Sequence, residues 1–231
     1  MIGILICLSL YNLGNRALRE GDYEKAVDCY LQALETDQDP RIYYNLGVAY
    51  YKLGRIGPAI KATRLAWRLD PKDPDIRYNL DFLRSYRADQ IDRPLNPIIR
   101  LLDSIFHYFS YYEATLFSGI AFLLFSLLLA GYIITKSRIL IRISILPLLI
   151  FLFFFINRII WVREFDPANA VIVEGEVVAY SGPGEGNKEV FLVHDGLEVR
   201  IIEEREGFCL IQIPGGFGGW VRQEALSPIL P

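Results

Sequence analysis

Few residues in this chain of 231 are of types that perform chemistry, and their spacing keeps them apart. Cys7, Cys29 and Cys209 are odd in number, scattered and without a CxxC pair, while His107 and His194 stand far from each other and from every cysteine. A thiolate or imidazole metal site needs ligands clustered at short spacings, so the pattern predicts no metal centre, and each cysteine reads as a small buried hydrophobe. His194 precedes Asp195, an order that could set a base beside an orienting acid, but no serine or cysteine nucleophile lies near them in sequence. The stretch SGPGEGNKE (181–189) has closely spaced glycines without the strand-to-helix context or Lys-Ser/Thr ending that cradles a phosphate. No nucleophile, base and orienting group share a segment, and the chain reads as a non-enzyme with no cofactor.

Tyrosine is the better lead, because the tyrosines recur. Tyr-Asn-Leu triplets begin at Tyr11, Tyr44 and Tyr78, intervals of about 33 and 34 residues, the period of a repeated helix-turn-helix unit. The residue of difference is assigned to the turn DQDP (37–40), where shortening is tolerated. Small and large positions alternate as two closely approaching helices require: Leu13, Gly14, Ala26, Tyr30 and Ala33, then Tyr43, Leu46, Gly47, Tyr50, Ala59, Ala66 and Pro71. This resembles the tetratricopeptide repeat consensus. Glycine fills the turns of LREGDYEKA and YKLGRIGPA, where a positive φ ends the first helix of each pair, and Pro58 stands near the start of a second helix. The third unit departs from the pattern at Arg77, Asp81 and Arg84, which reads as a capping helix with a polar outer face. Two repeats and a cap (1–90) are a small array, expected to lean on a partner or a membrane.

The resemblance implies a ligand groove on the first helix of each pair: Tyr11, Asn15 and Arg19, then Tyr44, Val48, Tyr51 and Lys52, then Tyr78, Phe82 and Tyr86. Aromatic side chains suit protein or peptide recognition, burying large areas while keeping a polar tip. Packing between repeats is the competing role for several of these tyrosines. Asn15 and Asn45 match two positions of the clamp by which some tetratricopeptide domains hold a terminal carboxylate, but Asp75 and Asn79 stand where that clamp is basic. An extended peptide, not a clamped carboxylate, is therefore the expected ligand.

The chain is 52% hydrophobic, and that excess is concentrated in two runs. Residues 114–135 carry no charge, and at about 1.5 Å per residue such a run spans the hydrocarbon core of a bilayer. Residues 143–162 form a second run, interrupted by Asn157 and Arg158, the latter placed to snorkel. A two-span transmembrane hairpin over 113–163 is expected. Lys136, Arg138 and Arg142 crowd the connecting loop, which places that loop in the cytoplasm and both flanking domains outside it. Export calls for a signal peptide, yet MIGILICLSL lacks a basic n-region and runs directly into the first repeat, pointing to a truncated or misassigned start. Ahead of the first span, the segment 91–112 reads as an interfacial amphipathic helix. Asn96 caps it and Pro97 opens it; Ile98, Leu101, Leu102, Ile105 and Phe109 share one face, and Arg100, Asp103, Ser104 and His107 the other. Tyr108, Tyr111 and Tyr112 supply an aromatic belt.

Short β-rich runs separated by glycine follow over 169–230 and predict a small all-β barrel. Ser181-Gly182-Pro183, the strand entry DGLEV (195–199), Gly207-Phe208 and the closing Gly219-Trp220-Val221 resemble the bacterial SH3-like domain, with Phe208 where tryptophan is usual. Tyr180 and Trp220 are its candidate groove residues, although core packing is the more ordinary use of a tryptophan in so small a barrel.

The fold class is thus a multidomain membrane protein: an all-α tetratricopeptide domain, a two-helix transmembrane hairpin and a small all-β SH3-like barrel. That order of modules resembles the BatE-type proteins of the bacterial aerotolerance (Bat) operon. The resemblance implies a multi-pass protein of the bacterial inner membrane with both soluble domains periplasmic. It also implies a scaffold whose partners include von Willebrand A-domain and other Bat proteins. The alternative is a cell-wall sensor whose barrel binds peptidoglycan peptides. The net charge of −3 gives no reason to expect a nucleic-acid partner.

Overall fold

The computed structural model describes residues 2–90 and 96–230 and divides the chain into two units: Met1–Pro94 with Phe165–Pro231, and Leu95–Glu164. The two ends of the chain therefore fold together, and the middle forms a unit of its own.

In the first unit the repeats form antiparallel pairs: α1 (Ile2–Glu20) with α2 (Tyr23–Leu34), α3 (Pro40–Lys52) with α4 (Ile56–Leu69), and a fifth helix, α5 (Pro74–Tyr86). Gly21 and Gly54 take the positive φ values expected of the turns, +83° and +75°. Glycine inside the helices serves close approach. A Cβ on Gly14 would strike the Tyr30 ring, and one on Gly47 would strike the Thr63 hydroxyl. Ala26, Tyr30, Ala33, Ala59 and Ala66 are fully buried at the expected small-and-large positions. Side chains of Asp22, Asp39 and Asp73 cap α2, α3 and α5, accepting from Lys25, Arg41 and Asp75 backbone N–H groups. The cap residue of α4, Arg55, makes no such bond.

The carboxy-terminal half of this unit is an antiparallel sheet of β1 (Asn169–Ile172), β2 (Glu176–Tyr180), β3 (Glu189–His194), β4 (Glu198–Arg205), β5 (Phe208–Gln212), β6 (Gly218–Arg222) and β7 (Leu226–Pro228). The strand order is β3-β2-β6-β5-β4-β1-β7. Glu206 and Gly207, both at positive φ, form the two-residue turn between β4 and β5, the geometry that matches strand twist. Ile172, Val177, Val193, Leu197, Ile211 and Val221 belong to its core. Trp220, opposite Tyr180 in the register of β2 and β6, is only 9% exposed.

In the second unit, α6 (Pro97–Phe106) begins at the expected cap, with the Asn96 side chain accepting from Ile98 N–H. The first five residues of the expected interfacial segment, 91–95, lie outside the described residues. Two features of that segment are corrected. Phe109 lies beyond the helix and packs edge-on against Phe154 at 5.0 Å between ring centroids. His107 is buried, its ring 5.1 Å from that of Trp161 and its Nδ1 2.9 Å from Asp103 Oδ1, because the chain turns there. A capping box of Ser110 and Glu113 then starts α7 (Tyr111–Thr135). Lys136 ends α7 in the left-handed conformation, and α8 (Arg138–Ile143) and α9 (Ile145–Glu164) return alongside it. Phe117 meets Phe154 at 5.1 Å and Phe122 meets Phe151 at 5.3 Å. Asn157 Nδ2 donates to the Phe106 carbonyl and Trp161 Nε1 to the Phe109 carbonyl, tying α9 to the turn before α7. The stretches Tyr111–Thr135 and Arg138–Glu164 are long and apolar enough to cross a membrane. Only 11% and 6% of their most apolar windows are buried, unlike the core helix of a globular domain.

Candidate functional site

The side chains of the expected groove divide into two groups. At the amino-terminal end they bond to one another. Asn15 Oδ1 accepts from Tyr30 OH and from Asn45 Nδ2, each at 2.8 Å, and Asn45 Nδ2 also approaches Tyr11 OH at 3.4 Å. Tyr30 is fully buried, and burial is the largest influence raising its pKa. Asn15 and Asn45, the two clamp positions, thus join helices of neighbouring repeats. Arg19 is exposed at the far end of α1.

At the other end the aromatic residues face outward. Tyr51 contacts Phe82 edge-on at 5.4 Å and Tyr86 at 5.7 Å, and Phe82 lies 5.9 Å from Tyr86. Phe82 is 37% exposed, Tyr86 62% and Tyr78 71%, an apolar surface that folding leaves uncovered. Beside it opens a pocket of about 230 Å³ lined by Val48, Tyr51, Lys52, Asn79, Phe82 and Leu83, with Gly47 and Thr63 also in its wall. In that wall Gly47 lets α3 approach Thr63 of α4 closely, as described above. The Thr63 hydroxyl donates to the Ala59 carbonyl at 2.8 Å, leaving a methyl-bearing wall with its polar atom satisfied. Tyr44 is half-buried; burial chiefly raises its pKa, the Asp75 and Asp73 charges add to this, and a hydrogen bond with Asn79 opposes it. The structure therefore brings Val48, Tyr51, Lys52 and Phe82 to one apolar pocket with Tyr86 at its edge, while Tyr11 and Asn15 serve inter-helix bonding.

Arg84 of α5 has a different use from the solvated cap expected of it, whereas Asp81 is exposed as expected. Arg84 forms a bidentate pair with Glu198 of β4: Nη2 to Oε1 at 2.8 Å and Nε to Oε2 at 2.9 Å. Arg64 Nη1 reaches Oε1 at 2.8 Å and Arg87 Nη1 reaches Oε2 at 3.2 Å. Burial alone would raise the Glu198 pKa, but the charges of Arg84, Arg64 and Arg87 outweigh it and hold it at about 2. Asp195 supplies the cap that α4 lacks: its carboxylate accepts from Ile56 N–H at 2.7 Å and Gly57 N–H at 2.8 Å. Asp89 holds His194 at both its backbone N–H, 2.7 Å, and its ring Nδ1, 3.0 Å. His194 and Asp195 are thus joints between repeats and barrel. The array leans on its own carboxy-terminal domain, which packs on α4 and α5. Sequence reading met Asp195 and Glu198 as parts of the barrel's strand entry and did not foresee that they, with Asp89, join repeats to barrel; a signal for it was the absence of a capping residue before α4.

On the barrel, an open depression of about 790 Å³ is lined by Glu185, Phe208, Arg222 and Glu224 among others, with Tyr180 6.4 Å from Phe208. Trp220 is not among its lining residues. Among the described residues, no group of three or more His, Cys, Asp and Glu side chains could hold a metal ion, and all three cysteines are buried thiols.

Comparison with known proteins agrees with this division. Residues 10–54 match the family model described as TPR repeat, 40–73 that of the tetratricopeptide repeat, and 173–228 that of the bacterial SH3 domain. A TPR repeat-containing protein of Methanocaldococcus jannaschii is 37% identical over 78 residues, 33% of this chain and 14% of that protein. The human small glutamine-rich tetratricopeptide repeat-containing protein beta is 47% identical over 49 residues, 21% of this chain and 16% of that protein. Photosystem I assembly protein Ycf3 of Rippkaea orientalis is 27% identical over 84 residues, 35% of this chain and 49% of that protein. The chain thus spans half or less of the length of each of these relatives. Among solved structures, the Sgt2 TPR domain of Aspergillus fumigatus is 31% identical with a TM-score of 0.33, covering 34% of this chain and 53% of that one. The second TPR domain of human RPAP3, solved in complex with an HSP70 peptide, is 25% identical with a TM-score of 0.35, covering 36% and 70%. The chain carries tetratricopeptide repeats, two long apolar helices and a bacterial SH3 domain.

Proposed function

We propose that this protein is a membrane-anchored, non-catalytic scaffold that binds a partner protein through the groove of its repeats. We place both soluble parts in the periplasm of a bacterial inner membrane, within a Bat-type complex that includes a von Willebrand A-domain protein. The observation that carries the reading is the open aromatic group of Tyr51, Phe82 and Tyr86 beside an apolar pocket. Rigid aromatic surface left uncovered next to a side-chain-sized recess is the arrangement found at binding hot spots.

The union of residues 1–94 and 165–231 in one unit supports the hairpin. A chain whose two ends fold together enters and leaves the intervening apolar segment on the same side, which requires an even number of crossings. Anchoring then confines the groove to a membrane surface and raises its effective concentration toward partners held there. The cell-wall reading is weaker, because Trp220 is core and the Asp195 and Glu198 edge of the barrel is engaged by the repeats.

The test places a photoreactive residue at Tyr44 in native membranes and identifies what it captures. The double substitution Tyr51→Ala, Phe82→Ala is expected to lower capture of the partner by about 30-fold, the effect of losing roughly 2 kcal/mol at a hot spot. Unchanged capture by a double variant of unaltered thermal stability would remove the groove from the proposal.

A further inference from the structure

A second pocket lies on the back of the repeats, where the groove does not reach. It measures about 480 Å³, within the range of small-molecule sites, and is walled by α2, α3, α4 and two barrel residues, Val173 and Ser227. Leu31, Leu34, Leu46 and Leu65, with the rings of Tyr43 and Tyr50, make the walls largely apolar. One cation is set among them. Lys61 Nζ donates to Ser227 Oγ at 2.9 Å, and among the described residues no carboxylate pairs with it. Burial pushes the Lys61 pKa down, and no charged neighbour restores it. An ammonium half withdrawn from water beside a neutral hydroxyl is a costly arrangement that a ligand anion would relieve. Glu35, exposed at the carboxy-terminal end of α2, is the carboxylate in the lining and forms no ion pair with Lys61. It would oppose a second negative charge on any occupant.

We propose that this pocket binds an apolar monocarboxylic acid, with the carboxylate on the Lys61 ammonium and Ser227 hydroxyl and the hydrocarbon body against the leucines of α2, α3 and α4. A free acid fits better than the end of a peptide, whose backbone N–H and C=O groups would meet apolar walls and lose their hydrogen bonds. The site is independent of the groove: its lining comes from the opposite face of the helix pairs and from the barrel, so ligand bound there bears on the union of the two.

The experiment uses the full chain in lipid nanodiscs and follows the rate of reductive methylation at each lysine by mass spectrometry. Exposed Lys52 and Lys72 serve as internal references. The probe is 2-naphthoate, compared with 2-naphthalenemethanol, naphthalene-2,6-dicarboxylate and a short peptide ending in leucine. Expected is protection of Lys61 by 2-naphthoate of about 10-fold at a concentration where the alcohol and the dicarboxylate protect less than 2-fold. In Lys61→Met, naphthoate binding read by fluorescence should lose its preference over the alcohol. No protection, equal protection by acid and alcohol, or protection by the peptide alone would each overturn the proposal. Because the wild-type protection assay needs no variant, the outcome stands even if Lys61→Met folds poorly.

Discussion

Glu198 meets three guanidinium groups at once, and the arithmetic of that meeting is testable. Its folded pKa of about 2 lies below the ordinary value of 4.5, so the ionised carboxylate stabilises the fold. That stabilisation is fully present above about pH 4.5 and is lost as the pH falls toward 2. A shift of this size corresponds to something on the order of 3 kcal/mol. Glu198→Gln leaves Arg64, Arg84 and Arg87 facing a neutral amide, and the variant should melt well below the parent at pH 7. Scanning fluorimetry from pH 7 to pH 3 should show the gap between the two narrowing below about pH 4.5. A gap independent of pH would mean that packing, not charge, holds this joint. Asp195 titrates in the opposite sense, since burial raises its pKa despite the N–H groups that donate to it. The comparison of Glu198→Gln with the parent cancels that contribution.

Helices α1 to α5 were legible because everything that specifies them is local. The triplets recur at a nearly fixed interval, and Gly21 and Gly54 lie within a residue or two of the helix ends they determine; the aspartates that cap α2, α3 and α5 are just as local, although the sequence reading did not use them. The cap of α4 was not legible, since Asp195 and Ile56 are 139 residues apart and no propensity connects them. Arg84 was misread for the same reason: a charged residue on an end helix looks solvated until its carboxylate partner is known. His107 and Phe109 followed helical periodicity on paper, but the helix stops at Phe106 and the turn redirects both inward. The groove was half legible: aromatic type was visible, and the division between Asn15, which bonds to its neighbours, and Phe82, which stays open, required the packing. Gly57 tests how tightly α4 and the barrel meet. An added methyl there runs into the Ile172 carbonyl and the Asp195 carboxylate, whereas one on Gly54 meets nothing within 4 Å. Gly57→Ala should cost about 1–3 kcal/mol through overpacking and hasten tryptic separation of barrel from repeats. Gly54→Ala should cost about 1 kcal/mol through its positive φ alone and leave that cleavage pattern unchanged. Identical digestion of the two variants would show that the joint yields easily.

At the scale of the molecule, the proposed orientation rests on the exposed cations Lys136, Arg138 and Arg142 between α7 and α9. The three native cysteines are buried, so an introduced thiol is readable against a low background. Ser137→Cys should resist a membrane-impermeant maleimide on intact cells and react after lysis, and Gly186→Cys in the exposed barrel loop should react in both. The reverse pattern would turn the protein over and move the groove to the cytoplasm. The joining of the two chain ends also sets a timetable for biosynthesis. Helices α4 and α5 emerge from the ribosome first, yet the aspartate and glutamate that complete them arrive last. At about 5–20 residues per second the nascent repeats wait on the order of ten seconds with that face bare. A message cut short before the codons of its strands would release a chain whose anchor is intact but whose repeats stay open to chaperones and proteases, so that only finished copies persist.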